Sequence, residues 1–156
     1  MLHAGAPGGI DGRVQQPVLL GMARGRHQKG ALHAVERGIQ AGAGSILCAM
    51  DVQAGTSLVV LGAGAVGLAA VMAGRVAGAT TIIAVDVDAR KLEAAKTFGA
   101  THTVDSSTQD AVEAIRALTG GHGADVVVEA GGRPVTYEQA FYARYLAGID
   151  MLVGIY

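Results

Sequence analysis

The sequence predicts an α/β domain over residues 54–156, an open, doubly wound parallel sheet of about five strands with helices on both faces. Two observations carry that prediction. From Ser57 onward, short apolar runs alternate with helical patterns and leave little slack between them, which is the order of βαβ units. The runs Ile82-Ile83-Ala84-Val85 and Val126-Val127-Val128 are apolar throughout instead of alternating, as parallel strands buried on both faces must be. Right-handed crossovers between such strands wind the helices onto both sides of the sheet.

Taken in order, strands are expected at 57–61, 81–85, 102–104, 125–129 and 151–153, with helices at 66–77, 89–98, 109–118 and 136–146. The first run, Ser57-Leu58-Val59-Val60-Leu61, is short and rich in branched residues, as a strand should be. In the third helix Val112, Ile115 and Leu118 recur at a spacing of three and give an apolar stripe for the sheet. Asp88 precedes the second helix, where its carboxylate can cap the first turn. Ahead of the domain, residues 37–53 read as a connecting helix. Residues 1–36 read as an irregular basic leader, rich in Gly, Ala and Gln and without a sustained period.

Composition narrows the function classes. The 156 residues suffice for one core, and a 51% hydrophobic, 16% charged chain is not wholly disordered. A net charge of −1 gives no global attraction to nucleic acid or to an anionic membrane. Residues 1–50 do carry five basic residues (Arg13, Arg24, Arg26, Lys29, Arg37) against Asp11 and Glu36. Without an amphipathic stripe or an aromatic to stack on a base, neither a transit peptide nor a nucleic-acid arm is supported. Cys48 is the single cysteine, so no internal disulfide forms, and a reducing cytoplasm is the expected location. The stretch from Val52 to Gly74 is uncharged and long enough to cross a bilayer. It is interrupted by Gly62, Gly64 and Gly67, and its first part is strand-like, so a soluble reading is preferred.

Those three glycines form the hexapeptide Gly62-Ala63-Gly64-Ala65-Val66-Gly67. Alone, GxGxxG is a weak signal. Here it follows an expected strand and opens an expected helix, the context in which a dinucleotide is bound. Gly62 permits the tight turn, Gly64 lets a pyrophosphate approach the backbone, and Gly67 lets the helix pack on the strand. Free N–H groups and the positive helix end then face the phosphates. Asp86 stands nineteen residues beyond Gly67, at the end of the second strand. A carboxylate there accepts from the ribose hydroxyls of NAD(H) and repels the 2′-phosphate of NADP. Lys91 lies where it can fold back to the same ribose, although a solvated helix-surface lysine is its plainer reading. Arg90 points towards NADP, but Asp86 weighs against that. FAD is bound by similar turns and ranks behind NAD. A methyltransferase site would normally want an acidic residue just before the glycines.

With these segments in place, residues 37–156 resemble the cofactor domain of medium-chain, zinc-containing alcohol dehydrogenases. The likeness rests on Gly62–Gly67, Ile83–Lys91, Phe98-Gly99-Ala100-Thr101-His102 and Leu118-Thr119-Gly120-Gly121. Gly132-Arg133-Pro134 and Gln139-Ala140-Phe141-Tyr142-Ala143-Arg144 look most like the mycothiol-dependent formaldehyde and nicotinoprotein members. The resemblance implies hydride transfer between an alcohol or aldehyde and NAD. It also implies that Ala65 and Val66 open the cofactor helix with Val66 against the nicotinamide, and that Ala130, Gly131 and Val153 line the cofactor.

The same resemblance implies a zinc site, and its ligands are not found in this sequence. The family's cysteine ligand 25 residues before the first glycine falls on Arg37, and a guanidinium cannot replace a thiolate at Zn²⁺. Four residues later the family's threonine is Ala41. Cys48 is off register, and His3, His27, His33, His102 and His122 lack metal-ligand spacing. No catalytic residue is assigned. A sixth strand usual in the family is missing, so the chain reads as truncated at both ends, with an exposed fifth strand that invites self-association. Two classes compete: the cofactor half of an alcohol dehydrogenase, inactive by itself, or a non-catalytic NAD-binding module or partner subunit. With half its pocket missing, the nicotinamide should be held poorly and the adenine end should carry binding.

Overall fold

In the computed structural model, which describes residues 28–154, five parallel strands form one sheet in the order β3-β2-β1-β4-β5. The strands are β1 (Ser57–Leu61), β2 (Thr81–Asp86), β3 (His102–Asp105), β4 (Ala124–Glu129) and β5 (Arg144–Leu152). The helices are α1 (Gln28–Gly44), α2 (Ala65–Ala77), α3 (Ala89–Phe98), α4 (Ala111–Leu118) and α5 (Pro134–Ala143). The expected doubly wound sheet is therefore present. Val59 on the central β1 pairs with Ile83 on one side and Val127 on the other.

Because successive strand side chains point to opposite faces, the apolar strands build two cores. Leu58, Val60, Ile82, Ala84, Val126 and Val128 pack with Ala70, Val71 and Ala95 of α2 and α3. Val59, Leu61, Ile83, Val85 and Val127 pack with Ile115, Ala140 and Ala143 of α4 and α5. The chain winds β1-β2-β3 outward in one direction, then returns to place β4 on the other side of β1. This reversal opens a crevice at the carboxyl ends of β1 and β4, where nucleotides bind in such sheets.

Most boundaries fall within two residues of the sequence expectation; the larger differences lie in the leader, the connecting helix and the junction of the last helix with β5, which starts at Arg144 where a strand was expected only over 151–153. Residues 28–36, read as part of the irregular leader, are helical and belong to α1; residues 1–27 lie outside the described residues. Ala31, Leu32, Ala34 and Glu36 all favour a helix, and a contact from His33 to Glu36 bridges one turn. The connecting helix expected over 37–53 ends as a π-helical turn, Ser45–Ala49. The last helix stops at Ala143 rather than Leu146, and the strand that follows begins at once at Arg144. Arg116 donates to the carbonyl of Tyr142 at 3.0 Å, and a Cβ on Gly123 would lie 2.7 Å from the carbonyl oxygen of Ala143. Tertiary contact thus ends this helix, with no Gly or Pro of its own at the boundary. Among the described residues no helix is long and apolar enough to cross a membrane.

Candidate functional site

The turn from β1 into α2 forms one wall of the crevice. Gly62 has φ of +97°, a left-handed conformation that strains any residue with a side chain. A Cβ there would also lie 2.8 Å from the Gly131 nitrogen on the opposite wall. Gly67 sits in the first turn of α2 directly over Gly62, and a Cβ on it would run into the Gly62 carbonyl oxygen. Gly64 differs: it caps α2 with extended backbone and meets nothing within 4 Å. It has no side chain to cap the helix. Leu68 is the first residue shown to close the helical ladder, donating to Gly64 at 2.8 Å, so the amides ahead of it are donors suited to an anion.

Asp86 ends β2 beside this turn, its side chain 8% exposed. One carboxylate oxygen accepts from the Ala63 amide at 2.8 Å and the other from the Asp88 amide at 2.9 Å. A carboxylate has about four acceptor sites, so two backbone bonds leave capacity for hydroxyl donors. Lys91 places its ammonium 3.8 Å from the Asp86 carboxylate. The next carboxylate, Asp88, is occupied differently. Hydrogen bonds from the Arg90 side chain and then from its amide hold the Asp88 pKa below 3.8.

The opposite wall is the loop after β4. Ala130 donates to the Leu61 carbonyl at 2.8 Å and so ties the two walls at their base. Between them lies a cleft of about 250 Å³, lined by Gly62, Gly64, Asp86, Lys91, Ala130 and Gly131. These six of the sequence-predicted residues come together. Ala65, Val66, Gly67 and Val153 do not line it. Val66 packs towards Gly38 of α1, and Val153 donates to the Glu129 carbonyl at 2.8 Å. Sequence reasoning missed Ser106, Arg133, Thr136 and Gln139, which also line the cleft. It missed Glu129 as well, a carboxylate with 0% exposure at the end of β4. Its one mark in the sequence is that it closes an apolar strand, with Ala130 between it and Gly131-Gly132, and that mark does not separate a buried carboxylate from a solvated one.

The zinc-binding dehydrogenase family matches residues 65–156, more than half of the chain. This chain belongs to the zinc-binding dehydrogenase family. The chain is 40% identical over 118 residues to a probable alcohol dehydrogenase of Pseudomonas sp, covering 76% of this chain and 37% of that protein. It is 40% identical over 103 residues to sorbitol dehydrogenase of Bacillus subtilis, covering 66% of this chain and 29% of that one. Among solved structures, benzyl alcohol dehydrogenase of Acinetobacter calcoaceticus superposes with a TM-score of 0.74 at 44% identity, over 76% of this chain and 33% of that one. A zinc-binding dehydrogenase of Sinorhizobium meliloti, solved bound to NADP, gives 0.71 at 34% identity, over 81% and 36%. The chain thus spans about a third of the length of these relatives.

The described residues do not fit the family's zinc. Among the described residues no three His, Cys, Asp or Glu side chains gather as a metal site. Arg37 is exposed on α1 with its Nε directed at the His33 carbonyl, 3.5 Å away, and Cys48 is exposed in the π-helical turn. His102 bonds Thr101 at 2.9 Å, and His122 stacks edge-to-face on Tyr145. The glycine turn does leave room for a ligand: Gly62 and Gly67 let backbone segments pack together, and the space that a Cβ on Gly64 would enter is open, which suits the close approach of a phosphate.

Proposed function

We propose that this chain binds NAD(H) in the crevice between Gly62–Gly67 and Ala130–Gly132, as the cofactor-binding part of an alcohol dehydrogenase-like oxidoreductase. The observation that carries the reading is Asp86, held by the Ala63 amide at 2.8 Å beside the turn. Its carboxylate accepts from the adenine-side ribose hydroxyls, Lys91 adds a donor next to it, and the start of α2 supplies donors for the pyrophosphate. When bound, the nicotinamide supplies hydride transfer with an alcohol or aldehyde; the chain's own residues bind and orient it. No step runs through zinc.

The NADP in the Sinorhizobium relative makes cofactor choice the point to test. Asp86 also braces the turn, so loss of binding in Asp86→Ala would have two causes. Asp86→Asn separates them. Titration calorimetry with NADH and NADPH should favour NADH for the wild type, and Asn should narrow the preference by relieving repulsion of the 2′-phosphate. An equal fall for both cofactors would make Asp86 a brace only. No binding of either by a folded wild-type chain would overturn the reading.

A second reading is favoured by Arg37: a non-catalytic NAD-binding module or partner subunit, with any catalytic zinc held by another chain. Dehydrogenase activity of the purified, zinc-loaded polypeptide would exclude it. The finer likeness to mycothiol-dependent formaldehyde and nicotinoprotein enzymes rests on Gly132–Pro134 and Gln139–Arg144 only, and a substrate screen of the active assembly tests it.

A further inference from the structure

Glu129 is the only fully buried charged residue among those described, and it does not line the cleft. Its Oε1 accepts from the Gly131 amide at 2.7 Å and the Gly132 amide at 2.8 Å, and the Thr136 hydroxyl lies 2.6 Å away. Its backbone carbonyl accepts from the amides of Val153 and Gly154. One residue therefore joins the loop after β4, the first turn of α5 and the end of β5. Across the crevice, a Cβ on Gly62 would touch the Gly131 nitrogen and Cα, so the wall that Glu129 holds abuts the glycine turn.

We propose that Glu129 is a positioning residue of the cofactor crevice, setting the Gly131–Gly132 wall against the phosphate-binding turn without touching the cofactor. This rests on the NAD(H) reading above. Oε2 is buried and has no hydrogen-bond partner among the described residues, an arrangement that a merely structural tie does not need. A glutamine carbonyl would offer the same oxygen without the desolvated charge. The carboxylate strengthens all three bonds to Oε1 by charge. It also turns the amides of Gly131 and Gly132 inward, leaving the start of α2 as the source of phosphate donors in the crevice.

The test compares AMP and ADP-ribose binding to the wild type, Glu129→Gln and Glu129→Ala, with thermal melting of each. AMP engages mainly the Asp86 side, which Glu129 does not contact, whereas ADP-ribose spans the turn opposite Gly131. Glu129→Ala should weaken ADP-ribose about tenfold while AMP stays within about twofold. Glu129→Gln, which keeps the oxygen and loses the charge, should fall between, about threefold weaker for ADP-ribose. It carries the test if the alanine variant does not fold. A lower melting temperature with both affinities unchanged, or with both reduced equally, makes Glu129 a structural tie and overturns the proposal. A folded wild type that binds neither nucleotide overturns the dinucleotide reading and this inference with it.

Discussion

At the residue scale, three glycines of one hexapeptide play separable parts. Gly64 has open space around its missing side chain and φ of −79°, so Gly64→Ala should fold with an unchanged melting temperature. Its methyl would stand where the pyrophosphate approaches, so NADH affinity should drop. Gly67→Ala drives a methyl into the Gly62 carbonyl, and relief requires the backbone to move, at a cost of about 1–3 kcal/mol. Both melting temperature and NADH binding should fall. Identical behaviour of the two variants would refute this division. The glycines and Asp86 were legible in the sequence because each acts through its own backbone or charge at a fixed spacing. Glu129 was not, since a carboxylate closing an apolar strand looks the same whether it meets water or the three donors of Gly131, Gly132 and Thr136.

At the element scale, aspartate caps mark the starts of α3 and α4. Asp110 accepts from the Glu113 amide at 2.9 Å at the head of α4, and Asp110→Ala should cost about 1 kcal/mol by chemical denaturation. Asp88 caps α3 in the same way, accepting from the Arg90 amide at 2.9 Å. The pKa of Asp88 is lowered in the folded chain, chiefly by the Arg90 side chain and then by that amide. Its stabilisation is therefore present above the unfolded value of 3.8 and lost as pH falls through the lower folded one. Melting temperatures of the wild type and Asp88→Ala should differ at neutral pH and converge in acid below 3.8. A gap that persists unchanged in acid would show that the cap does not depend on ionisation. The end of α5 was illegible for a different reason. Arg144, Tyr145 and Leu146 suit a helix as well as a strand, and Arg116 and Gly123 from other elements decide between them.

At the scale of the molecule, β5 pairs with β4 on one side only among the described strands. Three extra residues on β5 bulge out between its pairings at Arg144 and Ile149. Leu146 is 94% exposed and Ile149 and Leu152 just over half exposed. An apolar edge with unpaired backbone groups is a template for another strand. Sedimentation of this polypeptide should show association that grows with concentration, and Ile149→Lys should reduce it. A wild type that stays monomeric throughout the range would contradict this.

Local features of the sequence specify the class of fold, the order of its strands and helices, and the place of the glycine turn beside Asp86. Those follow from local rules: apolar runs make buried strands, and residues without a Cβ allow turns that others cannot make. Tertiary structure alone decided where α5 stops and which residues meet across the switch point. It also decided that Val66 and Val153 stand back from the cleft while Arg133 and Thr136 line it. Each of these depends on contacts between segments far apart in the chain, such as the 2.8 Å bond from Ala130 to Leu61, and no spacing within one segment encodes them.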